Sequence, residues 1–245
     1  MQALLVRVGI DLSKKSGVWN APVNPDTAEF AYVPILEHEG NRKKKIRPGY
    51  EISYEQFKVP CEKLGKKLPS KFYDKRAHLD PDFEYLTYGD EGDRGKPIWG
   101  LENGDILAFY ASLCPVKPCN QKLIYALIGL YVVDRIKPAL EIPQEDWHKN
   151  AHTRRNPDKT DIVVFANPDL SGRLERCIPI GGRRDGAYRV TNELLSEWGG
   201  LSVKDGYIQR SAKLPSFSNP LKFSEWFKEQ KKNIRLVAEN NLIAR

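Results

Sequence analysis

Residues 77–110 read AHLDPDFEYLTYGDEGDRGKPIWGLENGDILAFY. The segment places a histidine and several acids before and within a charged, glycine-rich loop, which we expect at residues 89–96. The dipeptide Gly104-Asp105 then predicts a turn into an apolar and aromatic strand at residues 106–110. We expect the rest of the chain to support this segment.

A second long apolar run, LIYALIGLYVVDRI, occupies residues 123–136. Its tyrosines, its β-branched residues and the central Gly129 favour a long, bent strand over a helix. We expect this strand to pair behind residues 106–110. Residues 4–10 form a third predicted strand, and its nearly continuous apolar character indicates burial on both faces.

The C-terminal part of the chain alternates strand and helix signals. Residues 161–166 and 173–180 are β-branched runs on either side of a turn sequence, which predicts a hairpin. Thr191 is a good N-cap for a helix at residues 192–198, which the following glycines would end. Residues 224–233 predict a further amphipathic helix.

These elements predict an α+β protein with a mixed, strongly curved β-sheet or a β-barrel and flanking helices. The 245 residues are enough to bury a sizeable core. We predict a single domain over residues 1–245, with its core at approximately 77–190 and a helical C-terminal elaboration at approximately 191–245.

The charge of the chain suits a polyanionic partner without requiring one. Lysine and arginine number 39 against 32 aspartates and glutamates, a net charge of +7, and one basic cluster lies at residues 42–47. We therefore expect DNA as a partner, with RNA possible. No apolar run approaches the roughly 20 residues of a membrane span, and the N-terminus lacks a signal-peptide pattern. We expect a cytoplasmic protein without membrane contact.

The four cysteines give no sign of a metal site. Cys114 and Cys119 form a C-x₄-C pair, but no second pair or His-x₃₋₅-His segment completes a zinc site. A cytoplasmic chain also makes disulfides unexpected. We predict ordinary thiols and no cofactor or resident metal.

The triplet His78-x-Asp80-x-Asp82 is open to three interpretations. On an extended segment the three side chains lie on one face, where they could bind a metal or form a His–Asp acid–base pair. In the third interpretation Asp80-Pro81 starts a turn and His78 bonds a backbone carbonyl. His78 and Asp80 are the candidate catalytic residues, and no nucleophile stands out.

Two strands of the chain resemble the core of pseudouridine-synthase-and-archaeosine-transglycosylase (PUA)-like barrels, which include the EVE, ASCH and YTH domains. In those barrels a Gly-Asp turn opens a strand that ends in aromatics, and the next long strand carries Ile-Gly and then Val. The matching residues are Gly104, Asp105, Phe109, Tyr110, Ile128, Gly129 and Val132. The resemblance implies a PUA-like core.

A second resemblance covers most of the chain. It starts with R-x-G-Φ-D-x-S, from Arg7 through Asp11 to Ser13, and continues with HLDPD from His78. An Asn-x-His segment ending at His152 and the strand through Phe165 follow. This order is similar to the third type of nucleotide-modification-associated domain. The resemblance implies a setting of DNA base hypermodification or restriction.

A barrel that handles a nucleobase needs an aromatic wall, polar groups for the base edge and cations for phosphates. The candidates for base binding are Arg7, Asp11, Trp99, Asp105, Phe109 and Tyr110. The candidates for phosphate binding are Lys96, Arg154, Arg155, Arg183 and Arg184. Arg7 lies in a strand predicted to be buried, so it needs an anionic partner; Asp11 is the nearest, and a structural pair and a ligand contact both remain open.

Three functions fit these residues. The first is a module that recognises a modified, flipped base in DNA or RNA, and flipping would cost roughly a few kcal/mol. The second is an enzyme, a hydrolase or transferase, that alters such a base with His78 and Asp80, His152 being a further candidate. The third is a metal-dependent nucleic-acid hydrolase. In each case we expect His78 and Trp99 to line one cavity.

Overall fold

The computed structural model describes residues 1–11, 19–37, 45–209 and 214–241. Ser13 and residues 42–44 of the predicted basic cluster at 42–47 lie outside the described residues. The strands are β1 (Ala3–Arg7), β2 (Pro22–Val23), β3 (Ile35–Leu36), β4 (Ala77–His78), β5 (Thr87–Asp90), β6 (Ile106–Pro115), β7 (Ile124–Pro138), β8 (Ile162–Ala166), β9 (Gly172–Arg184), β10 (Ala187–Val190) and β11 (Leu236–Val237). The helices are α1 (Lys58–Lys63), α2 (Gly92–Trp99), α3 (Ala151–Arg154), α4 (Asn192–Trp198) and α5 (Pro220–Lys231).

A nine-stranded sheet organises the described chain, in the order β1-β6-β7-β8-β5 with β2 on β6, β9 on β7, and β10 and β11 on β9. β1 and β2 run parallel to β6, and the other pairs are antiparallel, so the sheet is mixed. Strands β3 and β4 form a separate two-stranded sheet. The α+β class is confirmed. Over the described ranges the pairings do not close into a barrel, so the PUA-like barrel stays a prediction.

The burial of strand β6 explains why residues 106–110 are apolar without interruption. Alternate side chains of a strand point to opposite faces, and here a hydrophobic core covers each face. Leu107, Phe109 and Ala111 belong to one core, and Ile106, Ala108 and Tyr110 belong to the other. Because both faces are buried, the strand has no polar alternation.

Strands β8 and β9 do not form the predicted hairpin. β8 pairs with residues 133–138 of β7, and β9 pairs with residues 125–130 of the same strand. The turn between them stays attached to β7, because the Asn167 N–H donates to the carbonyl oxygen of Val132 (2.8 Å) and the Val132 N–H donates to Ser171 Oγ (2.9 Å). The length of β7 therefore lets two consecutive strands run along it in one direction.

The glycine-rich stretch at residues 89–96 is largely helical rather than the predicted loop, since α2 begins at Gly92. Ile98 is fully buried, and Arg94 Nε lies 3.3 Å from Asp90 Oδ2. The burial of Ile98 and this local ion pair outweigh the low helix propensity of glycine.

The C-terminal elements agree with the sequence in kind. Thr191 caps α4 by accepting from the Leu194 N–H at 3.3 Å, and Gly199 ends it with φ +72°. Helix α5 begins at Pro220, four residues before the predicted start, because Asn219 caps it. None of the helices in the described ranges has the length and apolarity that a membrane crossing requires.

Candidate functional site

His78, Asp80 and His152, which we call the histidine cluster, meet beside strand β5. Asp80 Oδ2 lies 3.8 Å from Nε2 of His78 and 3.5 Å from Nε2 of His152. The two imidazole rings are 5.1 Å apart at an interplanar angle of 74°. All three residues are buried, so the cluster is a feature of the interior rather than a chance surface group.

Local backbone structure holds the cluster in place. His78 ends β4, and Asp80 accepts the backbone N–H of Gly89 on both carboxylate oxygens, at 2.9 and 2.8 Å. His152 lies in the first turn of α3, whose N-cap Asn150 accepts the His152 N–H at 2.8 Å. The Asn150 amide also lies 3.4 Å from Asp80 Oδ1. Hydrogen bonds thus connect β5, α3 and the Asp80 segment.

Each imidazole has a second carboxylate at its other nitrogen. His78 Nδ1 lies 2.8 Å from Glu37 Oε2, and His152 Nδ1 lies 3.1 Å from Asp161 Oδ1. These contacts restrict the rotation of both rings. They direct the two Nε2 atoms toward Asp80.

Arg155 contacts three carboxylates around the histidine cluster, those of Glu37, Glu91 and Asp161, which we call the outer carboxylates. Its Nη2 lies 2.8 Å from Glu91 Oε2 and 3.5 Å from Asp161 Oδ1, and its Nη1 lies 3.4 Å from Glu37 Oε1. The same Nη2 is 3.1 Å from His152 Nδ1. A single guanidinium therefore supplies positive charge to the outer acids.

Burial controls the protonation of the cluster. It raises the pKa of Asp80 well above its usual range, although the Gly89 N–H opposes the shift. Burial, and then the neighbouring charges of His78 and Arg155, lower the pKa of His152 well below its usual range, which favours neutral imidazole. Burial also raises the pKa of Glu37, but the hydrogen bond and charge of His78 and the charge of Arg155 outweigh it, so its net pKa is lowered.

Asp82, the third residue of the His78-x-Asp80-x-Asp82 triplet, does not join the cluster. Its Oδ2 lies 2.5 Å from Arg154 Nη2, and both side chains are buried. The expectation that His78, Asp80 and Asp82 share one face therefore holds only for the first two. Asp82 and Arg154 form a structural ion pair.

Trp99 and Lys96, predicted for base and phosphate binding, lie on one cavity of about 500 Å³. Its lining is Gly92, Asp93, Gly95, Lys96, Trp99, Pro138, Lys159, Thr160 and Ile162. The indole of Trp99 is 52% exposed, so it offers a surface for stacking. His78 is not part of the lining, so this cavity does not meet the prediction that His78 and Trp99 share one.

Three other residues predicted for base binding are buried and make contacts within the fold. Phe109 is fully buried between core side chains, and Tyr110 is buried with its hydroxyl donating to the Ile208 carbonyl at 2.8 Å. Asp105 is buried and accepts the backbone N–H groups of Gln2 (2.6 Å) and Glu102 (2.8 Å). Phe109 and Tyr110 lie in the two cores that cover opposite faces of β6.

The remaining predicted residues separate into pairs and exposed cations. Arg7 bonds Asp11 and lies 3.1 Å from the Tyr125 hydroxyl, so the structural interpretation of this pair fits the geometry. Arg154 and Arg155 are buried in ion pairs and form no cationic rim. Arg183 is exposed, and Arg184 is half-buried at the end of β9 with Nη2 3.3 Å from the Asp205 carbonyl.

The carboxylates that contact the two histidines were not among the residues predicted from the sequence. Glu37 directly follows β3, which pairs with β4 so that Ile35 lies opposite His78. Asp161 directly precedes β8, and Glu91 directly follows β5. The available signal was a single acid next to each of these strands, but the meeting of the three acids depends on the sheet pairing. Two of the four cysteines, Cys61 and Cys177, are buried, and burial raises the pKa of each thiol to about 12.

The fold and the cluster together define a mixed α+β protein with a buried histidine–carboxylate site. The chain belongs to the nucleotide modification associated domain 3 family, whose model matches residues 2–241. The family predicted from the Arg7–Ser13, HLDPD and Asn-x-His segments is thereby confirmed. No curated protein and no solved structure matches the chain.

Proposed function

We propose that this protein is an enzyme of nucleotide modification and that its reaction takes place at the histidine cluster. The observation that carries the proposal is the convergence of two buried imidazoles on one oxygen of Asp80, at 3.8 and 3.5 Å. Burying ionisable groups costs free energy, and shifted groups of this kind concentrate at functional sites. Family membership supplies the setting of nucleotide modification.

The partner of His78 argues against a purely structural cluster. A histidine that only stabilises a turn is expected to bond a backbone carbonyl, whereas Nδ1 of His78 lies against the carboxylate of Glu37. The pairing leaves Nε2 directed at Asp80 and His152. Two ring nitrogens and one carboxylate oxygen around a single point suit the activation of a water molecule or a substrate oxygen.

The substrate in this proposal is a nucleotide of DNA whose base stacks on Trp99. Base–aromatic stacking contributes about 1–3 kcal/mol per base. Lys96 and Lys159 line the same cavity and can contact phosphates. A volume of about 500 Å³ is within the approximate 300–1,000 Å³ of small-molecule sites.

The chain connects this cavity with the histidine cluster at two places. Gly92, which lines the cavity, follows Glu91, whose carboxylate binds Arg155. Thr160 and Ile162 line the cavity on either side of Asp161 in sequence, and Asp161 contacts His152. In this proposal the substrate extends from Trp99 toward the histidines, because Asp161, which contacts His152, lies between two residues of the cavity lining.

A second candidate function is recognition of a modified base without turnover. The exposed indole of Trp99 beside two lysines favours it, because stacking and phosphate contacts need no catalytic group. The two candidates differ in whether a product forms.

The experiment is incubation with DNA that carries modified bases, followed by nucleoside mass spectrometry and a binding assay. We expect the parent protein to change the mass of a nucleoside, and His152→Gln to bind DNA equally but form no product. Trp99→Ala should lose about 1–3 kcal/mol of binding free energy. Leu221→Ala, which removes an exposed apolar side chain on α5, is the matched control.

Two results would change the conclusion. Salt-sensitive binding without any mass change would leave the recognition function. Equal DNA affinity of Trp99→Ala, Leu221→Ala and the parent would exclude the Trp99 cavity as the binding site.

A further inference from the structure

We propose that the histidine cluster binds a divalent first-row transition-metal ion through Nε2 of His78, Oδ2 of Asp80 and Nε2 of His152. This proposal rests on the proposed function and extends it, because it names a metal ion as the group that acts at the same three residues. One ligand atom from each residue can be chosen such that all lie within 4.8 Å of one another. Ligands at about 2.0–2.2 Å from an ion are roughly 3.0–3.5 Å apart, so side-chain movements of about an ångström complete the site.

The outer carboxylates are the second observation in favour of a metal. Metal-bound histidines almost always donate their other ring N–H to a carboxylate, a carbonyl or a water, which fixes the tautomer and orients the ring. Glu37 contacts Nδ1 of His78 at 2.8 Å, and Asp161 contacts Nδ1 of His152 at 3.1 Å. When Nδ1 carries the proton on both rings, both Nε2 lone pairs point toward Asp80 and are free to bind an ion.

Arg155 decides which of two ligand groups holds the ion. Glu91, His152 and Asp161 also offer ligand atoms close together. The Arg155 guanidinium already lies among them, 2.8 Å from Glu91, 3.1 Å from His152 Nδ1 and 3.5 Å from Asp161. A cation there would face a fixed positive charge, so the group containing Asp80 is the site.

Arg155 also sets up a competition for the tautomer of His152. A guanidinium only donates, so a hydrogen bond from Arg155 to Nδ1 places the His152 proton on Nε2, facing Asp80. In the other tautomer Nδ1–H donates to Asp161 and Nε2 is free. Glu91 and Glu37 offer Arg155 other acceptors, so an ion at Nε2 can select the second tautomer without leaving the guanidinium unpaired.

At close range in the described chain, Asp80 contacts imidazoles rather than a lysine or an arginine. Within the described chain, the basic groups within 4.0 Å of its carboxylate are the two imidazoles. Its remaining contacts are the Gly89 N–H and the Asn150 amide. A buried carboxylate normally has a charged partner or a metal, and a divalent ion would supply one.

The donor set points to a catalytic ion. Structural zinc sites are closed by four protein ligands, whereas catalytic sites keep an open position. Two imidazoles and one carboxylate are the facial arrangement that leaves coordination positions open for water or substrate, and imidazole suits iron, nickel, copper and zinc. We therefore expect Fe(II) or Zn(II) to occupy the site, and Co(II) to report on it.

The test is a titration of the full chain, stripped with EDTA and dialysed, with Co(II) followed by visible absorption. We expect one equivalent of Co(II) to bind and Zn(II) to displace it. His78→Gln and His152→Gln should lose the absorption band, and Glu37→Gln should bind about 10–100-fold more weakly, as outer-carboxylate changes do. His148→Gln is the matched control, because His148 lies one turn before α3 and packs on Tyr85 outside the cluster.

Circular dichroism establishes that each variant is folded, and Glu37→Gln keeps the test valid if a histidine variant unfolds. Failure of the folded parent to bind Co(II), Zn(II) or Fe(II), or equal binding by the parent, Glu37→Gln and His152→Gln, would overturn the proposal. Metal binding without nucleoside turnover would defeat only the proposed function. Turnover by metal-free protein in EDTA would defeat only the metal site.

Discussion

Gly89 lies directly against the imidazole of His152. A Cβ atom at residue 89 would come within 2.3 Å of His152 Cδ2 and 2.8 Å of Asn150 Oδ1. Any side chain there must therefore displace the ring and the N-cap of α3. The backbone N–H of Gly89 also holds Asp80, so this one residue positions two members of the histidine cluster.

The first prediction concerns Gly89→Ala. Overpacking of this kind costs about 1–3 kcal/mol, so we expect a folded protein with a lower unfolding free energy. Because the ring of His152 moves away from Asp80, Co(II) affinity and nucleoside turnover should both be lost. Thermal unfolding and Co(II) absorption measure the two effects.

Gly100→Ala is the control for this substitution, because the nearest atom to an added Cβ is the Pro97 carbonyl oxygen at 3.7 Å. It should keep both stability and Co(II) affinity. If Gly89→Ala bound Co(II) with the affinity of the parent, the position of the His152 imidazole would not depend on the absence of a side chain at residue 89.

The strands were predictable where burial is complete. Residues 106–110 and 124–131 carry continuous apolar runs because cores cover both faces of the sheet, and these runs lie in β6 and β7. The pairing of β8 and β9 was not predictable, because a turn sequence does not reveal that both strands run along β7. The local apolar pattern of a strand indicates its burial, whereas the strand that it pairs with depends on the whole sheet.

The candidate site was predictable in part for the same reason. His78 and Asp80 stand out because they are neighbours in a short motif, but Glu37 and Asp161 reach the histidines only through the sheet pairings. Phe109 and Tyr110, predicted as part of an aromatic wall, lie in the two cores on opposite faces of the sheet. A strand covered on both faces and a strand lining a pocket can carry the same aromatic sequence, and only the fold distinguishes them.

The second prediction separates a structural from a phosphate-binding role for Arg154. Asp82 is fully buried and its Oδ2 lies 2.5 Å from Arg154 Nη2. Arg154→Met leaves this carboxylate without its partner, which costs about 3–5 kcal/mol. Chemical denaturation measures the loss.

Arg184→Met is the comparison, because Arg184 is only half-buried at the end of β9. The unfolding free energy of the Arg184→Met protein should differ little from that of the parent. If Arg154→Met instead kept its stability and weakened DNA binding, the arginine would be a phosphate contact as the sequence suggested.

The third prediction concerns the two lysines of the Trp99 cavity. Lys96→Gln and Lys159→Gln should each lower the slope of log affinity against log salt by about 0.9 on duplex DNA, because each removes one phosphate neutralisation. Stability should change little, because the Lys96–Asp93 ion pair is exposed. Lys228→Gln, an exposed lysine on α5, should leave the slope unchanged. Equal slopes for all three variants would place the DNA elsewhere.

The fourth prediction concerns the contact between the C-terminal segment and the HLDPD motif. Asn240 Oδ1 accepts the backbone N–H of Phe83 at 2.8 Å, and its amide donates to Asp82 Oδ1 at 3.0 Å. Asn240→Ala leaves the Phe83 N–H unpaired and removes one donor from Asp82 Oδ1, which keeps the Glu84 N–H at 3.1 Å, so we expect it to cost about 1–3 kcal/mol of unfolding free energy.

The same change should weaken Co(II) binding, because Asp82 is two residues from Asp80 and the chain between them would no longer be fixed. Asn233→Ala removes an exposed asparagine from the same segment and should change neither quantity. If Asn240→Ala has the same unfolding free energy and the same Co(II) affinity as Asn233→Ala, the C-terminal segment is a separable elaboration. If it loses both, residues far from the motif in sequence position the histidine cluster.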